Sequence, residues 1–346
     1  MCGPARITTA LMIPKLSQNV FLASRLNHGW RAFTLVELLA VLTVLAVLLS
    51  LLLPVLGQAK GAAKSAVCLN SLAQLGRAMT LYGNETDERY PPAFLYRGMA
   101  FQDGLELPVT PTQGYLHWSN LLVNNGLASS ASFRCPAFER GGLAPANTTP
   151  DNLDAGQANE TAGLVDDQVP RCAYTVNQAL CSANHFVAGF QGAFRACRTA
   201  SAASVQAPAS TILATEWATD WRLTAGSGRV CRSYLPVHGF VGLGPAASAD
   251  RSDSRFFGCP RPCFASLRRL SPLELAAQPQ AGTVGLSRLD WVGRNHNRKL
   301  GPLGSRTSNF VFADGHAVNA TIFDTLQPFQ WGAQFFSLTP GDDVAD

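Results

Sequence analysis

Residues 38 to 55 carry no charged side chain and read Leu-Leu-Ala-Val-Leu-Thr-Val-Leu-Ala-Val-Leu-Leu-Ser-Leu-Leu-Leu-Pro-Val. That approaches the about 20 apolar residues needed to cross hydrocarbon, so the run predicts a transmembrane helix. One carboxylate, Glu37, stands immediately before it. A charge within a span costs roughly 2.5 to 3.5 kcal/mol on insertion scales, so Glu37 calls for a partner or a task. Residues 1–32 contain Arg6, Lys15, Arg25 and Arg31 and no Asp or Glu. Basic residues ahead of a first span hold that end in the cytoplasm and send the chain beyond the span outward. A secretory signal has a shorter apolar core followed by a small-residue cleavage site. Here the small residue, Ala32, precedes the apolar run, and cleavage after it removes the leader while keeping the helix.

The ordered set Ala32-Phe33-Thr34-Leu35-Val36-Glu37-Leu38-Leu39 resembles the type IV prepilin N-terminus, shared by pilins and by type II secretion pseudopilins. The resemblance implies cleavage by a prepilin peptidase between Ala32 and Phe33, methylation of the new Phe33 amine, and a role for Glu37 in assembly. Ala32 stands where that family usually has Gly. Packed among identical helices, Glu37 would be neutralised by the Phe33 amine of a neighbouring subunit, the usual remedy for a buried charge. A plain signal anchor with a snorkelling Glu37 is the alternative. Pro54, near the outer end of the span, marks either a loosening on assembly or a simple kink.

Beyond the span, Ala62, Ala66, Leu69, Leu72, Gly76, Met79 and Gly83 recur three and four residues apart, while Lys60, Lys64, Gln74 and Arg77 fall elsewhere. This predicts an amphipathic helix over residues 57–84 whose apolar face receives a globular head. Gly83-Asn84 is a stop signal. The chain thus divides into a leader (1–32), a membrane helix (33–56), an amphipathic helix (57–84) and an exported domain (85–346). The expected fold is α+β, a long helix packed on an antiparallel sheet in the pilin manner. Charge excludes one class of function: with the leader removed, basic and acidic residues balance at 23 each, which leaves no footprint for nucleic acid.

Nine cysteines are many. Cys2 falls in the leader, leaving Cys68, Cys135, Cys172, Cys181, Cys197, Cys231, Cys259 and Cys263. An even set in an exported domain points to disulfides, of open connectivity; Cys68 with Cys135 is the pair to test first. No pair has C-x-x-C spacing, and Cys259 and Cys263 are separated by Pro-Arg-Pro.

Within the head, His117-Trp118-Ser119-Asn120-Leu121-Leu122 predicts a short helix, Phe133-Arg134-Cys135 a strand end, and residues 139–168 a surface loop. Thr211-Ile212-Leu213-Ala214-Thr215-Glu216-Trp217 predicts a buried strand. Residues 223–290, rich in Gly, Pro, Ser and Arg, read as a loop-rich insertion. Asn309 to Ala313 and His316 to Ile322, joined by Asp314-Gly315, form a strong hairpin signal, because both turn residues tolerate positive φ. This end is similar to large bacterial proteins that share the prepilin start, a Cys-Leu-Asn-Ser-Leu helix like residues 68–72, and an Asn-x-x-Phe-x-Asp-Gly-His hairpin. They have a His about ten residues before the Asp-Gly; here the nearest is His296, eighteen residues before Asp314.

His296, Asp314 and His316 are weak metal candidates, with local turn hydrogen bonds as the simpler reading. No cofactor is expected; calcium, which some pseudopilins hold in this part of the head, is the one the resemblance allows. There is no Gly-x-Ser-x-Gly elbow, phosphate loop or His-Glu-x-x-His helix. Glu216 and Asp220, four apart, offer a carboxylate pair only at suitable geometry, so the expectation is a non-enzyme. The expected partners are prepilin peptidase, other pilin or pseudopilin subunits and membrane lipid. The expected place is a bacterial inner membrane, N-terminus cytoplasmic and head periplasmic, with the cell surface open after assembly. A membrane-anchored envelope binding protein that uses the export signal without forming a fibre is the second reading.

Overall fold

The computed structural model describes residues 34–97, 110–181, 183–184, 199–225, 228–243, 266–276, 288–296, 306–333 and 344–345. Ala32 and Phe33, Cys197, Cys259 and Cys263 lie outside them. Two compact units divide the chain between Pro54 and Val55.

Helix α1 (Leu35–Glu85) runs through both units and continues across Pro54. Thr34 and Glu37 open it with a reciprocal cap: the Glu37 N–H donates to Thr34 Oγ1 at 3.2 Å, and Thr34 N–H and Oγ1–H donate to Glu37 Oε2 at 2.9 and 2.8 Å. This is the Ser/Thr-x-x-Glu capping box, so Glu37 has a task within its own chain. In the first unit the large apolar side chains of α1 are exposed, and the helix is long and apolar enough to cross a membrane.

In the second unit α1 buries Cys68, Leu72, Leu75, Gly76, Ala78, Met79 and Gly83. Leu72, Gly76, Met79 and Gly83 are buried as expected, whereas Ala62 and Ala66 are exposed and Leu69 is half-buried, and Cys68, Leu75 and Ala78 join the stripe. Small alanines tolerate either environment, whereas Leu75 gains roughly 1.5 to 3 kcal/mol by burial, so the larger side chains set the face. Past Glu85, Asp87 and Glu88 take positive φ and the chain turns back, with Thr86 and Glu88 N–H bonded to Gly83 O.

The head has three sheets among the described residues. β1 (Phe94–Leu95), β2 (Gln113–His117), β3 (Val165–Asp167) and β5 (Ala183–Asn184) form one, in the order β3-β2-β1-β5, antiparallel only between β1 and β2. The second, fully antiparallel, has the order β10-β9-β6-β4, from β4 (Tyr174–Val176), β6 (Ile212–Glu216), β9 (Thr307–Phe312) and β10 (Ala317–Thr321). β7 (Phe240–Leu243), β8 (Ser266–Arg269) and β11 (Val344–Ala345) form the third. Short helices α2 (Trp118–Asn124), α3 (Arg222–Ala225) and α4 (Pro272–Ala276) complete the α+β fold.

The expected single antiparallel sheet is therefore corrected to three among the described residues, two of them with parallel pairs. The described parts of 223–290 are not mere insertion: they supply β7 and β8 and bury Cys231, Tyr234, Leu235, Val237, Phe240, Leu270 and Leu275. Residues 139–168 are likewise more than surface loop. Leu143, Ala144 and Ala146 are buried, and Asn147 is fixed by Asp166, which accepts from its backbone N–H (2.6 Å) and its Nδ2 (2.9 Å). Polar residues that look loop-like become interior when their hydrogen bonds are met internally. Phe133 closes a 3-10 turn (Ser130–Phe133) capped by Ser129, in place of a strand end.

The helix meets the central sheet at Gly76. A Cβ there would lie 2.5 Å from Val311 Cγ2 on β9, so only glycine permits this approach.

Candidate functional site

One buried polar cluster lies where four separate segments converge. Cys68 comes from α1, Cys135 from the coil after the 3-10 turn, Glu216 from the end of β6 and His296 from the segment pairing with the start of β9. Cys68 and Cys135 form a disulfide with Cα atoms 5.1 Å apart. Glu216 is fully buried and His296 is 3% exposed. The imidazole Nε2 stands 3.0 Å from the Glu216 carboxylate. Asn309 donates from Nδ2 to Oε1 (2.9 Å) and from its backbone N–H to Oε2 (3.3 Å). The imidazole edge and the Asn309 amide thus converge on Glu216 Oε1.

Each member is held by secondary structure. Glu216 O accepts from Gly293 N–H at 2.8 Å, and His296 exchanges both backbone bonds with Thr307 at 3.1 Å. Gly293 is required for the approach, since a Cβ would meet Trp217 O and Asn295 Nδ2 at 2.4 Å. Asn309 also donates to Ser65 O on α1 (3.3 Å), and Asn319, its cross-strand partner, donates to Asn309 Oδ1 at 2.7 Å. Tyr174, opposite Glu216 in the sheet, donates from its hydroxyl to Cys68 O at 3.1 Å. Burial, then the Glu216 charge, pushes that phenol well above its usual range. The cluster is thus a polar clamp that fastens α1 to the central sheet. Its four candidate ligand atoms, two sulfurs, a carboxylate oxygen and an imidazole nitrogen, lie within 4.8 Å of one another.

The residues proposed from sequence are distributed differently. His296 and the Asp314–His316 pair stand at opposite ends of β9, so they form no joint site. Asp314 accepts from His316 N–H (3.1 Å) and contacts its Nδ1 (2.6 Å), the imidazole stacks on Phe312, and Gly315 takes φ +90° in the turn. Glu216 and Asp220 do not share a strand face: β6 ends at Glu216, and Asp220 is exposed beside Arg222. Cys172, Cys181 and Cys231 are buried free thiols, correcting the expectation that they are crosslinked. Burial pushes Cys172 and Cys231 up to about 12 and Cys181 higher, which makes them poor nucleophiles.

Sequence reasoning missed the pairing of Glu216 with His296 and the place of Asn309 in it, because residues 80 positions apart leave no local pattern. The capping box was discoverable: Thr34-x-x-Glu37 before an apolar run is its signature.

Comparison of the chain with protein-family models, with curated proteins and with solved structures finds no match.

Proposed function

We propose that this chain is a pilin-like or pseudopilin structural subunit, cut between Ala32 and Phe33, methylated on the new amine, and assembled through its N-terminal helix. What carries this reading is α1: one helix from Leu35 to Glu85, opened by Glu37 in a capping box and exposing its apolar side chains through the first unit. An exposed apolar surface of that length calls for lipid or for copies of itself. Both Thr34 bonds fall on Oε2 of Glu37, which leaves Oε1 to receive a neighbouring subunit's Phe33 amine. In this role the clamp of Cys68, Glu216 and Asn309 transmits the position of the helix to the head.

Intact-mass measurement of the membrane-extracted protein, with and without prepilin peptidase, is the direct test. Retention of residues 1–32 in the presence of the peptidase contradicts the proposal. The elaborated head, with three sheets among the described residues, favours as second reading an anchored envelope binding protein that forms no fibre. Cysteine crosslinking along the apolar helix separates the two: ladders support the fibre, and their absence supports the lone anchored protein.

A further inference from the structure

We propose that Cys68, Cys135, Glu216 and His296 form a redox-gated site for a borderline-soft divalent cation of the zinc type, closed while the disulfide stands and opened by its reduction. A crosslink between α1 and the head needs neither a carboxylate nor an imidazole beside it. Here Glu216 Oε1 lies 4.0 Å from Cys135 Sγ, a sulfur with no hydrogen to donate while the disulfide is intact. Thiolate, imidazole and carboxylate are each ligands that tetrahedral zinc accepts, with Zn–S about 2.3 Å and Zn–N or Zn–O about 2.0 to 2.2 Å. Such a tetrahedron has edges of roughly 3.3 to 3.8 Å. The four donor atoms, already within 4.8 Å of one another, therefore need only side-chain adjustment, with the two sulfurs moving apart once unbonded.

The surroundings suit a metal. Asn309 orients the carboxylate through two hydrogen bonds, the backbone of His296 is locked to Thr307, and Tyr174 fixes the backbone carbonyl of Cys68. Outer contacts of this kind hold ligands in place. Charge balance is preserved as well. Two thiolates cancel the dication, so loading replaces a neutral disulfide with a neutral metal dithiolate. On loading, His296 presents Nε2 to the metal, and its contact with Glu216 is exchanged for coordination.

The chemistry has two steps. A dithiol reductant gives two electrons and two protons to the Cys68–Cys135 bond, yielding two thiols and its own disulfide. The cation then replaces the two thiol protons, which leave to solvent. Disulfide and metal are mutually exclusive: the disulfide ties α1 to the coil that carries Cys135, and the metal would tie both of these to β6 and to the segment before β9.

The full-length protein in detergent, with Cys259 and Cys263 changed to serine, supplies the test. It is reduced with dithiothreitol, desalted without oxygen and titrated with Co2+. One equivalent should bind with the d–d bands of tetrahedral cobalt and sulfur-to-cobalt charge transfer, and the oxidised protein should show neither. The Cys68→Ser/Cys135→Ser protein should lose the spectrum. His296→Gln keeps a donor toward Glu216, so it should stay folded by circular dichroism while its cobalt affinity drops at least about tenfold. If reduction loosens the head, cobalt should restore its circular dichroism, and failure to restore it counts against the site. An unchanged spectrum in the double serine variant, equal binding by oxidised protein, or no binding by folded reduced protein would each overturn the proposal.

Discussion

Replacing Gly76 with alanine sets two effects of opposite sign against each other. Helix propensity alone favours alanine by about 1 kcal/mol. Packing opposes it: the new Cβ would stand 2.5 Å from Val311 Cγ2, against the about 3.5 to 4.0 Å of a relaxed carbon contact. Val311 is fully buried on a central strand, and its β-branched side chain has little rotamer freedom. The helix must therefore retreat by about 1 Å or the strand must yield, an overpacking cost of about 1 to 3 kcal/mol. The expected net result is a loss of up to about 2 kcal/mol. Val311→Ala, which deletes the clashing methyl, should by itself cost about 2 kcal/mol as a cavity. In the double variant the two faults should partly cancel, with a coupling of about 1 kcal/mol or more in favour of the pair. Urea unfolding of the full chain in detergent, followed by the fluorescence of buried Trp118, Trp217 and Trp331, measures all four corners of the cycle. Because Cys68 lies two turns from Gly76 on the same buried face, the single variant should also form the Cys68–Cys135 bond less completely, read by thiol labelling. A Gly76→Ala protein more stable than its parent, or strict additivity in the cycle, would refute the packing argument.

Glu37→Gln keeps the cap, since Gln also completes a capping box, but removes the charge, so it should be processed normally and fail to assemble; assembly at parental levels, seen by crosslinking, rejects charge pairing with Phe33. Cys68→Ser/Cys135→Ser opens a closed loop of sequence separation 67 and should cost about 2 to 4 kcal/mol, measured by urea unfolding. Ala32→Gly should raise the processed fraction in a peptidase assay, and no change there would mean that Ala32 does not limit cleavage. Three buried groups set opposing pH dependences, His117 against Asp166 and Asp290. Burial pushes His117 down to about 3, so the unfolded chain takes up that proton first and stability present above pH 6.5 is lost as pH falls toward 3. Burial pushes Asp166 up to about 7, so the folded chain binds that proton first and stability is gained as pH falls from about 7 toward 4, with Asp290 at about 6 pulling the same way. His117→Asn should therefore become relatively more stable on acidification and Asp166→Asn relatively less, read from denaturation midpoints between pH 4 and 7. Slopes identical to the parent's would contradict both assignments.

Local chemistry made several elements legible from sequence alone. The uncharged run after Glu37 dictates an apolar helix, because backbone and side chains there have no better partner than themselves or lipid. Asp314-Gly315 between two alternating runs dictates the β9–β10 hairpin, since the turn needs the φ +90° that Gly315 adopts. Thr211 to Trp217 reads as a strand for the same local reason, and β6 is its buried form. The clamp belongs to another class. By spacing alone Glu216 reads as half of a carboxylate pair with Asp220, and His296 as a distant companion of Asp314, because near neighbours are all that spacing can compare. Only the tertiary fold, by pairing β6 with β9 and bringing α1 against β9 at Gly76, set Glu216 beside His296, Asn309 and the Cys68–Cys135 bond. Helices and turns arise from interactions a few residues apart, whereas a buried polar site is specified by which distant groups can satisfy one another once water is gone.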